Sequence, residues 1–346
     1  MQNRIRDFGV KIGNLEPGSQ NKITDVQGVA VGHSTVRNGD INTGVTSIIP
    51  HQRNIFENKV TGASYVVNGF GKTAGLVQLD ELGVIETPIL LTNTFGVGQC
   101  MTSLVRYMLD ENEQIGRTTG TINPIVGECN DMFLNDIRSL AVREEHVIEA
   151  LRTATFDFEE GGVGAGTGMK CFGLKGGIGS ASRKIPLSYG NYTLGVLVLS
   201  NFGSMENFIL NGDQVGRRLV RKFSKAIDEQ DKGSIMIIVA TDLPVSSRQM
   251  KRIIKRSGAG LARTGSIFGN GSGDIVIGFS TANQIKHDQG ELQSLQMLPE
   301  DDIDQAFMAS VEATEEAILN SMVTAETTVG RNGNTLYSLK EFIEEV

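Results

Sequence analysis

Gly233-Ser234-Ile235-Met236-Ile237-Ile238-Val239-Ala240-Thr241 is a short apolar run rich in β-branched residues, entered from the polar run Asp228-Glu229-Gln230-Asp231-Lys232. The pattern predicts a loop feeding a buried strand whose first residue is a serine. In the plainest reading a glycine closes a connection, a serine opens a strand, and no chemistry follows. The sharper reading is that the bond between Gly233 and Ser234 is cut. The Ser234 hydroxyl would attack the Gly233 carbonyl, and water would open the resulting ester. Glycine suits that position because no Cβ blocks the attack and its backbone is permissive. Cleavage would leave hydroxyl and α-amine on one residue, and an α-amine with a pKa of about 7.7–8.0 is partly neutral near pH 7. In the uncut chain that nitrogen is an amide and no base.

The whole chain permits this reading. Its 346 residues can bury a large core. Glycine is abundant (42) and proline scarce (7), which suits tight turns and close-packed strands. A net charge of −8 argues against a general nucleic-acid binder. Cys100, Cys129 and Cys171 are widely separated and lack metal-ligand spacing, so the expectation is a reduced, cytoplasmic protein with no metal or cofactor. No signal peptide is read at the amino terminus, and no stretch approaches the ~18 apolar residues of a membrane span.

Strands are expected at Val45–Pro50, Ala63–Asn68, Pro88–Asn93, Ile122–Val126, Tyr192–Ser200 and Asp274–Ser280. Helices are expected at Val97–Leu109, His146–Ala154, Gln214–Ile227, Ser246–Arg256 and Asp302–Val323. The glycine-dense Gly161–Gly179 is not a phosphate loop, since more glycine rather than a helix follows Gly168; a backbone-packed hairpin or a site wall is expected there. Strands and helices alternate on both sides of Ser234 without a linker, which predicts one integrated α/β layered domain over 1–346.

The four histidines (His33, His51, His146, His287) lie in no nucleophile-like setting, and no Gly-x-Ser-x-Gly elbow surrounds Ser234. A serine that carries its own amine needs no histidine. Ser272 and Asp274, two apart at a strand start, would point to one face and could orient the hydroxyl or relay its proton; alone they are also ordinary turn residues. Asn201 ends a strand and could donate to an oxyanion, a contact worth roughly 3–4 kcal/mol where measured. Glu128 and Asp131 are candidates for holding a substrate's free amine.

Together these residues resemble the self-processing serine aminopeptidases, the family of L-aminopeptidase/D-amidase-esterase and the β-peptidyl aminopeptidases. The resemblance runs through Ile23–His33, Thr43–Thr46, Asn68-Gly69, Leu91–Thr94, Gly127-Glu128, Asn135–Ile137, Gly164–Met169, Lys175–Gly179, Gly233-Ser234, Ala240–Asp242 and Ser272–Asp274. It implies an α-β-β-α sandwich of the amino-terminal-nucleophile kind, cleaved between Gly233 and Ser234 into chains 1–233 and 234–346 that stay together and assemble into homo-oligomers. It implies Ser234 as nucleophile, Asn201 as oxyanion donor, Ser272 and Asp274 as assistants, and Glu128 facing the substrate amine. Some relatives carry glutamate where this chain has Asp274. The aromatic hydroxyl used by some members has no counterpart here, where Asn130 and Phe133 stand nearby. The substrates implied are small peptides or amino-acid amides and esters, with neither nucleic acid nor membrane as partner. Transfer of the acyl group to an amine, or a non-catalytic binding role on the same fold, remain open to the sequence.

Overall fold

The computed structural model of the chain describes residues 2–222, 233–287, 290 and 292–343. The first half holds β1 (Ala30–Asn38), β2 (Ile41–Ile49), β3 (Asn58–Gly69), α1 (Leu76–Leu82), β4 (Val84–Ile85), β5 (Ile89–Asn93), α2 (Val97–Glu111), β6 (Ile125–Cys129) and α3 (Glu144–Arg152). The second half adds β7 (Lys170–Cys171), β8 (Leu174–Lys175), β9 (Gly177–Leu187), β10 (Gly190–Asn201), α4 (Gly216–Lys222), β11 (Ser234–Thr241), α5 (Ser247–Ile254) and α6 (Ser257–Arg263). It ends with β12 (Gly273–Lys286), α7 (Ile303–Val323), β13 (Thr328–Val329) and β14 (Thr335–Leu336). Of the expected helix Gln214–Ile227, Gly216–Lys222 is helical and 223–227 lie outside the described residues, as does the polar run Asp228–Lys232.

Two sheets face each other. One has the order β1-β2-β5-β6, the other β4-β3-β12-β11-β10-β9, and within the larger only β11 and β12 run parallel. Helices α2 and α3 cover the outer face of the smaller sheet, where Leu104, Met108 and Val147 pack with Val45, Leu90 and Val126. Helices α5, α6 and α7 cover the larger, where Met250, Leu261 and Ile318 meet Val196, Ile237 and Val276. The expected α-β-β-α sandwich is the observed architecture.

Strand β11 is buried at every position because it lies inside a sheet covered on both faces. Its alternation still sorts the side chains: Ile235, Ile237 and Val239 join the helix-side cluster. Met236, Ile238 and Ala240 join the cluster between the sheets, and Ser234 shares their parity. Gly127 faces Met236 across the sheets; a Cβ on Gly127 would lie 2.7 Å from the Met236 methyl and 2.9 Å from Leu91. This corrects the expected strand Ile122–Val126. The parallel pairing of Ile89 with Ile125 and Asn93 with Cys129 carries β6 three residues further, so Gly127 and Glu128 lie in the strand rather than after it.

The glycine-dense segment contains the β7–β8 hairpin and a tight turn at Gly164–Gly166. A Cβ on Gly166 or Gly177 would strike the Gly161 carbonyl oxygen at 2.5 or 2.1 Å, so these glycines serve backbone packing. Lys175 is buried at the centre, its Nζ donating to the carbonyls of Gly166 (2.9 Å), Met169 (3.2 Å) and Gly176 (2.7 Å).

Helix α7 is buried along most of its length yet carries Glu312 and Glu316. Both pair with Arg183, fully buried on β9, at 3.0 and 2.7 Å, and Glu316 also receives Arg6 Nε at 2.6 Å. Burial pushes the Glu316 carboxyl upward, but the Arg6 hydrogen bonds and the Arg183 charge outweigh it and hold the group below its ordinary value. Removing one partner strands a buried charge at a typical cost of about 3–5 kcal/mol. Arg183→Met should therefore lower the unfolding free energy by that order, seen as a lower denaturant midpoint, and adding Glu312→Gln should recover part of the loss. A midpoint equal to wild type would contradict the role given to this cluster.

Candidate active site

Three neighbouring strands of the larger sheet align their ends at Ser234. Asn201, the last residue of β10, is the direct cross-strand partner of Ser234, and Ser234 pairs with Gly273 at the start of β12. The Gly233 carbonyl accepts a hydrogen bond from Gly273 N at 3.2 Å. A Cβ on Gly233 would lie 2.0 Å from the Asn201 carbonyl oxygen, so close backbone approach alone requires glycine there.

The Asn201 amide is held at both ends. Its Oδ1 accepts from Lys170 N at 2.9 Å and its Nδ2 donates to Asn130 O at 3.0 Å, which fixes its orientation. Lys170 opens the β7–β8 hairpin, so the glycine-dense segment bears directly on Asn201. On the other side of Ser234, the Ser272 hydroxyl donates to Asp274 Oδ1 at 2.6 Å, and both residues are buried. The Ser272 carbonyl accepts from Asn68 Nδ2 and from Phe70 N. Beside this pair the β3–β12 ladder shifts register, Asp274 facing Asn68 and Ile275 facing Val66, so the extra residue is Val67 of β3, as in β-bulges beside functional sites.

Glu128 is buried, with Oε1 accepting from Lys72 N at 2.8 Å and Oε2 from the Thr94 hydroxyl. Asp131 is fully buried beneath the turn after β6 and accepts from Asn135 Nδ2 at 2.9 Å. Burial pushes the Asp131 carboxyl up to about 7, against the opposing pull of Thr43 and Asn135. Cys129 is a residue the sequence did not single out. It points between the sheets, and its thiol donates to the Leu199 carbonyl of β10 at 3.4 Å, with the Ser234 hydroxyl among the groups that act on it. Burial first and the Glu128 charge second push its thiol well above the usual range, so it carries no thiolate to compete with a hydroxyl. The Gly273 N–H and the Lys170 N–H were missed likewise, since backbone donors leave no trace in side-chain chemistry.

The histidines have other work. His33 bonds Thr46 and the Glu159 carbonyl, and burial lowers it to about 4. His51 bonds the Asn58 carbonyl, His146 accepts from Arg143 N at the start of α3, and His287 bonds Thr119. Beside Asn201 and Gly233 opens a cavity of about 820 Å³, walled by Phe70, Met132, Phe133, Phe202 and Ile267, with Asn130, Lys170 and Arg331 also lining it. Its size is that of a small-molecule or short-peptide site. Glu128 and Asp131 are not among its lining residues.

The sequence profile of peptidase family S58 matches residues 21–336. The chain belongs to peptidase family S58. It is 37% identical to β-peptidyl aminopeptidase BapA of Sphingosinicella microcystinivorans, over 97% of this chain and 89% of that one. Among solved structures it is similar to a protein of Pyrococcus horikoshii OT3, with a TM-score of 0.94 and 48% identity over 99% of this chain and 98% of that one. It is also similar to the L-aminopeptidase D-Ala-esterase/amidase of Ochrobactrum anthropi, with a TM-score of 0.90 and 32% identity over the same shares. That enzyme is described as a prototype of the serine aminopeptidases and a variant of the Ntn-hydrolase fold. This S58 chain is accordingly a serine peptidase with aminopeptidase/amidase function on a fold of that kind.

The buried Asp131 gives a signed test. Its carboxyl is raised from 3.8 to about 7, so the folded state binds the proton more tightly than the unfolded state between those values. This group's contribution is intact below about pH 4 and is lost as pH climbs through about 7. Asp131→Asn should therefore gain stability relative to wild type between pH 5 and pH 8, read as the difference in denaturation midpoints. A difference that does not change with pH would contradict the raised carboxyl.

Proposed function

We propose that this S58 chain is a self-processing aminopeptidase/amidase in which Ser234, freed from Gly233, is both nucleophile and base. The observation that carries this is the row Asn201–Ser234–Gly273, which sets an amide donor, the hydroxyl and a polarised glycine carbonyl on adjoining strand ends. In processing, Ser234 Oγ attacks the Gly233 carbonyl carbon while Gly273 N–H steadies the oxygen. The C–N bond then breaks, and the hydroxyl proton ends on the departing nitrogen. Water hydrolyses the ester, leaving a Gly233 carboxylate and a Ser234 amine.

In turnover the amine takes the proton from Oγ as it attacks the substrate carbonyl. The second hydrogen of Asn201 Nδ2 donates to the developing oxyanion, and the ammonium returns its proton to the leaving amine. Water then releases the acyl group. The Ser272–Asp274 pair, with Ser272 donating to the carboxylate, leaves the Ser272 oxygen as an acceptor that orients the new ammonium. Glu128 is the carboxylate proposed to meet the substrate's amino group. It is buried, already bonded to Lys72 N and the Thr94 hydroxyl and outside the cavity lining, so in this reading a substrate meets it only after the Gly233 end has moved away. Strands β11 and β12 lie between β10 and β3, so the two fragments share ladders on both sides and stay associated as one body. Small peptides and amino-acid amides or esters are the proposed substrates; a cytoplasmic, homo-oligomeric enzyme is the proposed state.

Free and N-acetylated aminoacyl p-nitroanilides test the reading. The free-amine substrate should be hydrolysed with kcat/KM rising through an apparent pKa of about 7–8, and the acetylated one should be inert. Ser234→Ala should abolish turnover, while Asn201→Ala should lower kcat by about 10²–10³. Equal hydrolysis of both substrates, or full activity in Ser234→Ala, would overturn it. An added amine acceptor that diverts most of the acyl group from water would favour transfer over hydrolysis.

A further inference from the structure

Arg331 is the feature of the cavity that the chemistry above leaves unused. It lies at the start of the turn Arg331–Gly333, between β13 and β14, and lines the same cavity as Asn201 and Gly233. Its backbone is pinned: Arg331 N donates to Leu134 O at 2.8 Å, and Asn334 Nδ2 donates to Phe133 O at 2.8 Å. A Cβ on Gly330 would lie 2.4 Å from the Leu134 oxygen, so the two turns are pressed together. The guanidinium is therefore carried on a fixed support that moves with the Met132–Phe133 wall.

Arg331 Nε is buried and has no hydrogen-bond partner among the described residues. A buried guanidinium N–H without an acceptor is costly, and a carboxylate is the ligand its planar fork matches best. The cavity's lining contains Lys170 and Arg331 but, among the described residues, no acidic side chain. Its remaining wall sets Phe70, Met132, Phe133, Phe202 and Ile267 among glycines and asparagines. A chamber with large apolar side chains, an unpartnered guanidinium N–H and the proposed nucleophile's strand end on its wall suits a short leaving group that ends in a carboxylate.

We propose that Arg331 binds the carboxyl terminus of the substrate, making the enzyme selective for short peptides with a free C-terminus and an apolar leaving residue. The inference rests on the aminopeptidase reading above and names the substrate class of that same site. Arg331 acts here as a specificity residue, since it holds the departing part and touches no reacting atom.

Three substrates sharing one aminoacyl group test this: aminoacyl-leucine, aminoacyl-leucine amide and aminoacyl-aspartate amide. The wild-type enzyme should favour the leucine acid over the leucine amide by at least about tenfold in kcat/KM, mainly through KM, with the ratio falling as salt rises. Arg331→Leu should bring that ratio close to one, and Arg331→Lys should leave it intermediate because the charge stays and the fork is lost. The wild-type comparison and the lysine variant decide the matter even if the leucine variant does not fold. A wild-type ratio near one, or a ratio unchanged in Arg331→Lys and Arg331→Leu, overturns the proposal while leaving the aminopeptidase reading intact. Preference for the aspartate amide over the leucine acid also overturns it, since the carboxylate would then be a side chain's. Failure of the wild type to hydrolyse any of the three, or the free p-nitroanilide, removes the aminopeptidase reading and this proposal with it.

Discussion

The lateral alignment of three strand ends governs the rest of the structure. Because Asn201 pairs with Ser234 and Ser234 with Gly273, an amide donor, a hydroxyl and a backbone N–H fall side by side without any loop having to place them. Rigid strands hold such geometry better than loops do. The alignment works only with glycine at 233, where the Asn201 carbonyl leaves no room for a Cβ. It also depends on the one parallel pairing in the larger sheet, β11 with β12, which starts both strands at the same end. The Ser272 hydroxyl donates to the Asp274 carboxylate at 2.6 Å, so the shorter aspartate reaches its neighbour.

Supporting layers carry that alignment outward. The glycine-dense segment supplies Lys170 N to the Asn201 oxygen and is itself gathered around the buried Lys175 ammonium. Burial draws Lys175 down to about 7, while three carbonyl acceptors favour its charged form. Further out, α7 presses on β9 and β10, and Arg183 ties it to β9 through Glu312 and Glu316. The amino-terminal segment joins through Arg6. Residues far apart in sequence, before and after Ser234, are thus bound into one buried ionic cluster, a form of adhesion that does not need the peptide bond at 233.

Much of this was legible in the sequence because it depends on local pattern. The apolar run after Ser234 is a strand, the Ser272–Asp274 spacing does bring the two side chains together, and the Gly161–Gly179 stretch is hairpin and wall rather than a phosphate loop. What escaped depends on contacts between distant segments. Gly127 reads as the end of a strand, yet it sits inside β6 because Met236 of the facing sheet fills the space a side chain would need. Cys129 gives no sequence signal beyond a small apolar residue, and only the stacking of the sheets sets its thiol against the Leu199 carbonyl, on the strand that pairs with Ser234. Arg331 stands in no motif, and its place in the cavity wall follows from the docking of its turn on Phe133 and Leu134, with its Nε buried.

The central claim is that the working nucleophile is a chain start. Intact mass and amino-terminal sequencing of freshly purified, catalytically competent protein test it most directly. The account predicts two polypeptides, 1–233 and 234–346, the second beginning with Ser234. A single continuous chain of 346 residues with full activity would contradict it.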